Sequence, residues 1–200
     1  MTPIVVVGVL GTLLTAAAMA LPAHVLLGLA WPLRCNGTPR SRNEEDMDIT
    51  IEEHVGSHRE VAWSFREAED SEELLERYID LGRVWVAVDP AGRTVGHLQA
   101  VPRDDTWEVT NTAVLESERG RGIGRALLER AVEEARSVGV RRVVLATATA
   151  DIGNLRFYQR CGFRLTHVVH DVFTEAHGYP PGLEVDGIPL LDQVWFERAL

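Results

Sequence analysis

The sequence predicts an α/β protein in which one mixed sheet carries helices on both of its faces. Short apolar runs of strand length, such as VWVAV and RVVLATA, recur along the chain between turn-forming residues. Residues 122–138 instead place apolar side chains about every four positions, as an amphipathic helix does. In chain order, the predicted elements are β-α-α-β-β-β-α-β-α-β-β.

The first half of this domain is predicted to contain a strand, two helices and a hairpin. The alternating segment MDITIEE predicts a short strand, and the capping box SHRE precedes the helical segment VAWSF. A second helix is predicted over residues 71–81, and Gly82 ends it. Residues 84–101 form two apolar runs around a Pro-Ala-Gly turn, which predicts a hairpin.

Strands and helices alternate in the second half. The segment WEVTNTAVL predicts a strand that leads into a glycine-rich loop and the helix over residues 122–138. RVVLATA predicts a buried strand, and NLRFYQRCGF predicts a short helix that Gly162 ends. Two strands near residues 164–173 and 192–197 complete the sheet.

Charge divides the chain near Glu44. The residues before it include three arginines and no acid, so all 30 acidic residues follow them. Residues 3–33 carry no full charge and are apolar enough to span a bilayer, with the arginines on the cytoplasmic side. Two explanations stay open for residues 1–46: a membrane anchor through residues 4–33, or an over-long gene start before a domain of residues 47–200.

Composition argues against several classes of function. The acidic domain contains no long basic patch, so nucleic acid is not an expected partner. Two cysteines, Cys35 and Cys161, are too few for a disulfide scaffold and indicate a reducing, cytoplasmic compartment. His167, His170 and His177 lack the helix-face spacing of metal ligands, so no metal site is predicted.

The segment ERGRGIGRALL joins three alternating glycines to three arginines immediately before the long helix. It cannot be a Walker loop, since the chain contains no lysine, and it lacks the Gly-x-Gly-x-x-Gly spacing of the dinucleotide fingerprint. Glycines leave backbone amides accessible, and amides at a helix N-terminus bind anions. The loop is therefore predicted to bind the phosphates of a cofactor.

The pattern Arg119-x-x-Gly122-x-Gly124 after an apolar strand resembles the acetyl-CoA signature of the GNAT superfamily of N-acetyltransferases. NLRFYQRCGF, further along the chain, resembles the second signature of that superfamily. The resemblance covers residues 47–200, extends to an uncharacterised bacterial and archaeal subgroup, and departs at Glu116, where many members have proline. It implies a mixed, mostly antiparallel sheet, acetyl-CoA as cosubstrate without a metal, and an amine acceptor.

The resemblance also implies roles for individual residues. The backbone of Thr112, Ala113 and Val114 would pair with the pantetheine arm of the cofactor like an added strand. Asn154 and Tyr158 match the second signature, which places both near the cofactor. The residues expected to bind the pyrophosphate are Arg119, Gly120, Arg121, Gly122, Ile123, Gly124 and Arg125.

Acetylation of an amine requires two proton movements. An ammonium group with a pKa of about 10.4 must lose a proton before attack, and the departing thiolate of CoA must gain one. Tyr158 is the predicted acid, because a phenol is protonated at neutral pH. Glu108, five residues before Ala113, is the predicted base by resemblance to histone-type members. The alternatives are a core aromatic for Tyr158 and a solvated strand-end carboxylate for Glu108.

The predicted function is transfer of an acetyl group to a primary amine of a small molecule or peptide, by direct attack in a ternary complex. The alternative from another class is a non-catalytic acyl-CoA sensor, tethered to the membrane through residues 1–33. Tyr158 favours the enzyme, since a sensor needs no proton donor. The resemblance also allows a homodimer, and the sequence does not identify the amine.

Overall fold

The computed structural model describes residues 48–69, 72–177 and 179–200. The predicted N-terminal segment 1–46, with the anchor expected within it, lies outside the described residues. Within the described ranges, no helix combines the length and the apolar character needed to cross a membrane.

A seven-stranded sheet forms the centre of the described chain, and two short strands pair separately. In chain order the strands are β1 (Thr50–Glu53), β2 (Arg83–Val88), β3 (Thr94–Arg103), β4 (Thr106–Val114), β5 (Arg142–Ala148), β6 (Arg164–Val169), β7 (Glu184–Val185), β8 (Ile188–Pro189) and β9 (Gln193–Ala199). The central order is β1-β2-β3-β4-β5-β9-β6. Neighbours are antiparallel except β4 and β5, which run parallel. The mixed, mostly antiparallel sheet is thus confirmed.

Helices cover both faces of this sheet, as the sequence predicts. The α-helices are α1 (Ala62–Phe65), α2 (Glu72–Tyr78), α3 (Ile123–Ser137) and α4 (Ile152–Arg160). On β2, Trp85 belongs to the apolar cluster that contains the buried residues of α3, whereas its neighbour Val84 belongs to the cluster of α1 and α2. Successive strand residues point to opposite faces, so α3 and the α1–α2 pair lie on opposite sides.

The first helices differ from their predicted form. Ser57 does not begin an α-helix: its hydroxyl accepts from the Arg59 amide at 3.3 Å, and a 3-10 turn over His58–Val61 follows. The described helix α2 ends at Tyr78, before the predicted residue 81. The backbone carbonyls of Tyr78, Ile79 and Leu81 accept from the Gln99 side chain. The Tyr78 carbonyl also accepts from the Leu81 amide at 2.9 Å, which adds one tight turn after the helix.

The hairpin of β7 and β8 is absent from the sequence prediction. Its turn is Asp186-Gly187, and both residues have a positive φ, 51° and 79°, as a tight two-residue hairpin requires. Asp-Gly between apolar residues is a strong local signal for such a turn, and it was available in the segment EVDGIP. The hairpin matters because Val185 packs with Leu74 of α2 and Ala148 at the end of β5.

Candidate active site

The parallel pair β4 and β5 opens into a gap. In the described part of the chain, these strands pair only where Thr106–Glu108 lies beside Arg142–Val144. Beyond that point β4 continues to Val114 while paired with β3 alone. Between Val109 and Val114, the backbone donors and acceptors of β4 that do not pair with β3 therefore face the gap.

The glycine-rich loop lies at the end of this strand and starts α3. Gly122 is the N-cap residue of α3 with φ of 92°, a left-handed conformation that suits glycine. The first intrahelical bond there is from the Ala126 amide to the Gly122 carbonyl, at 3.0 Å. The amides of Ile123, Gly124 and Arg125 are therefore the donors that an α-helix leaves without internal acceptors.

The other glycines of the loop serve different purposes. A Cβ atom at Gly124 would lie 3.3 Å from the Phe157 ring of α4, so this glycine permits close packing of the two helices. Gly120 has φ of 76° and open space where a Cβ would be. Gly124 thus has a packing role, and the prediction that all three glycines admit a phosphate stays a prediction.

The charges around this helix end favour an anion. The first turn of α3 contains no acidic residue. Arg119 Nε donates to the Val114 carbonyl at 3.0 Å, which ties the loop to the end of β4. Arg121 pairs with Glu118 at the surface, with the guanidinium about half-exposed. Three free amides beside the positive end of the helix dipole form an anion-binding geometry.

At the start of α4, Asn154 is engaged within its own helix. The Asp151 carboxylate caps α4 by accepting from the Asn154 amide at 2.8 Å and from Asn154 Nδ2 at 2.7 Å. Asp151 is buried, and burial raises the pKa of its carboxyl. Asn154 therefore has a structural partner that the sequence analysis did not foresee, and its expected contact with the cofactor stays a prediction.

Tyr158 lies in the core beneath the same helix. Its ring packs against Phe157, Phe163 and Phe196, with ring centroids 5.2, 6.3 and 5.7 Å away. Burial, and secondarily the Asp151 carboxylate, raise the pKa of its phenol above the usual range. The hydroxyl is thus protonated at neutral pH. The core position agrees with the aromatic alternative, while the role as a proton donor stays a prediction.

Glu108 lies at the closed end of the gap, at the last β4 residue paired with β5. The residue is 4% exposed, so the alternative of a solvated carboxylate is wrong. Its Oε2 atom accepts from Arg103 Nε at 3.2 Å, and its Oε1 atom is buried without a hydrogen-bond partner in the described structure. Burial raises the pKa of this carboxyl, and Arg103 opposes the shift.

Known proteins resemble this chain in sequence. The sequence model of the acetyltransferase (GNAT) family matches residues 50–163, more than half of the chain. The chain belongs to this family. A GNAT relative, the uncharacterized N-acetyltransferase YvbK of Bacillus subtilis (strain 168), is 30% identical over 130 residues, which are 64% of this chain and 81% of the relative.

Solved GNAT structures extend the comparison. An acetyltransferase of Bacillus subtilis in complex with CoA is 27% identical, and a GNAT family acetyltransferase of Elizabethkingia anophelis with acetyl-CoA bound is 28% identical. Each similarity covers 76% of this chain and 99% of the other, with a TM-score of 0.69. The predicted family, fold and enzyme class are confirmed. The ligands of these two relatives agree with the predicted cosubstrate.

A buried polar cluster on the other face of β4 was missed by the sequence analysis. Asn111 of β4 donates to the Tyr78 hydroxyl at 2.7 Å, and that hydroxyl lies 3.4 Å from Glu69 Oε2. His97 of β3 contacts Ser64 at 2.8 Å. The available signal was the presence of polar residues within the otherwise apolar strands TVGHLQAV and WEVTNTAV. No group of metal-ligating side chains occurs among the residues described.

Proposed function

We propose that this GNAT enzyme transfers an acetyl group from acetyl-CoA to a primary amine of a small molecule or peptide. The observation that carries the proposal is the gap between β4 and β5, which ends at the uncapped N-terminus of α3. Two relatives of the same fold hold CoA or acetyl-CoA, which supports this cosubstrate.

The cofactor would lie along the gap and end at the loop. The pyrophosphate would accept hydrogen bonds from the amides of Ile123, Gly124 and Arg125, because these donors lack helical partners. The remaining loop residues, Arg119, Gly120, Arg121 and Gly122, would surround it. The pantetheine arm would pair with the backbone of Thr112, Ala113 and Val114, on the side of β4 that β5 leaves open.

Transfer would proceed by direct attack in a ternary complex. The neutral amine nitrogen forms a bond with the thioester carbonyl carbon, and the carbon–sulfur bond then breaks to release the thiolate of CoA. Tyr158 would donate its phenolic proton to that thiolate, and the excess proton left on the nitrogen after attack would return to the Tyr158 phenolate, which gives the neutral amide and CoA thiol. Glu108 would take the proton that the ammonium loses beforehand, and its raised pKa brings it closer to neutral pH than an ordinary carboxylate.

Turnover on a panel of amines tests this function. Release of the CoA thiol and the mass of the acetylated product are measured with acetyl-CoA and primary amines of increasing size, including peptide amines. We expect product with at least one amine, and calorimetry should show acetyl-CoA binding without any amine. Binding of acetyl-CoA without turnover on every amine would favour the sensor alternative. Absence of acetyl-CoA binding would contradict the proposed site.

A further inference from the structure

Strand β6 is an open edge of the sheet. It pairs with β9 on one side, and no described strand pairs with its other side. The β9 partners of Leu165 and Val168 belong to the apolar cluster that contains Tyr158 of α4. Directly paired side chains lie on the same face of a sheet, so Leu165 and Val168 lie on the face that α4 covers. They are nevertheless 52% and 44% exposed, so apolar surface continues from α4 to the open edge.

A groove beside this edge enlarges the apolar surface. It follows α4, has a volume of about 560 Å³ and includes Ile152, which is 58% exposed. On the other side of α4, the Phe157 ring lies against Gly124 of α3. Gln159 lines the groove and lies about 200° from Phe157 around the helix, so the groove opens away from α3 and toward β6. The edge groove, as named here, comprises Ile152, Arg156, Gln159 and Arg160 of α4 with Leu165 and Val168 of β6.

The two edge strands of the sheet differ in their protection against pairing with another chain. Charged side chains and a short length protect an edge. β1 has both, since it is four residues long, TIEE, and its Glu53 forms an ion pair with Arg83. β6 is six residues long, RLTHVV, and its only permanently charged residue, Arg164, is its first. Its register shifts at Thr166, but the pairs on both sides of the shift are regular. β6 is therefore the edge to which a further strand can be added.

The edge groove is positively charged in an acidic protein. Residues 152–169 contain three arginines and no aspartate or glutamate, whereas the whole chain has a formal net charge of −10. Arg156 and Arg160 line the groove, and Arg164 begins β6. Among the described residues, these three arginines form neither ion pairs nor side-chain hydrogen bonds. Their charges are therefore available to carboxylates of another molecule.

We propose that the edge groove binds an extended segment of a partner protein that carries both apolar residues and carboxylates. The segment adds a strand to β6 through backbone hydrogen bonds and places apolar side chains on Leu165 and Val168. Its carboxylates pair with Arg156 and Arg160. An isologous contact with a second copy would instead set residues 152–169 against themselves and bring like charges together. The surface is separate from the cofactor gap, so the inference does not rest on the proposed function.

Fluorescence anisotropy with synthetic peptides tests the charge preference on the full-length protein. The probe is a labelled peptide of about seven residues, with valines at its centre and glutamates at both ends, and a counterpart carries lysines instead of glutamates. We expect the glutamate peptide to bind at least about fivefold more tightly, the worth of two exposed ion pairs. The net charge of the whole protein favours the lysine peptide, so only a local positive surface gives this result. Equal binding, tighter binding of the lysine peptide, or no binding of either would overturn the proposal.

A peptide with a modified backbone tests strand addition. N-methylation of the central amides keeps the side chains of the glutamate peptide and removes its backbone donors. The modified peptide should bind more weakly by roughly tenfold or more, because several hydrogen bonds to β6 are lost. Equal affinity of the two peptides would show that the segment does not pair with β6 and would overturn the proposal.

Charge reversals locate the binding surface. Arg156→Glu should weaken binding of the glutamate peptide severalfold and leave acetyl-CoA affinity unchanged, because α4 contacts α3 through its other side. Arg136→Glu is the matched control, since Arg136 is likewise exposed and lies in the last turn of α3. The control changes the net charge equally and should leave peptide binding unaffected. Equal losses in the two variants would show an effect of net charge alone and would contradict the assignment to the edge groove.

A further variant and a sedimentation measurement test the apolar wall and the identity of the occupant. Ile152→Ser removes a mostly exposed apolar side chain, so the protein should fold and bind the glutamate peptide severalfold more weakly. Unchanged affinity in this variant would argue against the groove. Full-length wild type and Arg156→Glu should sediment identically. Self-association that Arg156→Glu abolishes would assign the edge groove to a second copy of this chain and overturn the proposal.

Discussion

The two faces of β4 differ in how they are built. Toward α3, the strand presents Val109 to an apolar core, and it ends in a loop whose proposed binding groups are backbone amides of one continuous segment. Toward α1 and α2, it presents Asn111 to side chains that come from separate parts of the chain. A site made of local backbone can be recognised as a short motif. A site assembled from distant side chains requires the fold.

The largest expected effect concerns the backbone site. Gly122→Glu should abolish acetyl-CoA binding, because it places a side chain and a negative charge against the proposed pyrophosphate position and strains a left-handed residue. Gly139→Glu is the matched control, since Gly139 has φ of 79° and open space for a Cβ. Calorimetry should show acetyl-CoA binding to wild type and to Gly139→Glu but not to Gly122→Glu. Wild-type affinity in Gly122→Glu would disprove the assignment of the loop to the pyrophosphate.

The next effect separates chemistry from binding. Tyr158→Phe keeps the ring that packs on Phe163 and Phe196 and removes one hydroxyl. If that hydroxyl protonates the thiolate, kcat should fall by roughly 10²–10⁴, the usual contribution of a positioned acid. The KM for acetyl-CoA should stay near its wild-type value, because the lost interaction belongs to the transition state. Wild-type turnover, with chemistry shown to be rate-limiting, would exclude the tyrosine as the acid.

A smaller effect is expected from the buried carboxyl of Glu108. Since its pKa is raised in the folded protein from the ordinary value of 4.5, the folded state binds more protons than the unfolded state between the two values. The free energy of unfolding should therefore fall as pH rises through this window. Glu108→Gln removes this contribution, so the melting temperature of the variant should rise relative to wild type as pH rises from 4.5. A constant difference across pH would show that Glu108 titrates normally.

Removal of residues 1–46 is expected to change neither folding nor acetyl-CoA binding, so its expected effect is the smallest. Every described element of the sheet, the glycine-rich loop and the polar residues on the other face of β4 lie after Met47. A shortened chain beginning at Met47 should fold and bind acetyl-CoA with the affinity of the full chain. Equal calorimetric constants for both chains would establish that both faces of β4 are complete without the N-terminal segment, whereas weaker binding would show that it contributes.

The sequence predicts most of the elements on the α3 face of β4 but few of the contacts on its α1–α2 face. Residues 142–148 and the long helix were located within one residue of β5 and α3, because buried strands and amphipathic helices have strong local patterns. The Asp-Gly hairpin was equally local and was overlooked. Asn111 and Tyr78 are 33 residues apart, and the bulge at Thr110 turns the Asn111 side chain toward Tyr78 of α2. No local sequence pattern predicts the hydrogen bond between these two side chains.

Individual residues of the loop and of α4 show the same division between local and long-range information. Gly122 has a left-handed conformation that glycine permits, and the alternating glycines of this loop predict an unusual backbone there. That Gly124 serves packing on Phe157, and that Asn154 is held by Asp151, depends on how α4 lies against α3. The sequence locates these segments, whereas the contacts that each residue makes depend on the relative positions of the helices.

Cys161, at the end of α4, gives a practical means of observing this part of the molecule. Its thiol is 3% exposed, and burial raises its pKa to about 11, so disulfide reagents used to detect released CoA should react with it slowly in the folded protein. The rate at which a reagent labels Cys161, followed by peptide mass so that Cys35 is measured separately, therefore reports how often α4 opens. If a Tyr158 variant loses turnover while Cys161 is labelled at the wild-type rate, the chemical step is impaired. If Cys161 is labelled faster, the packing of α4 is impaired instead.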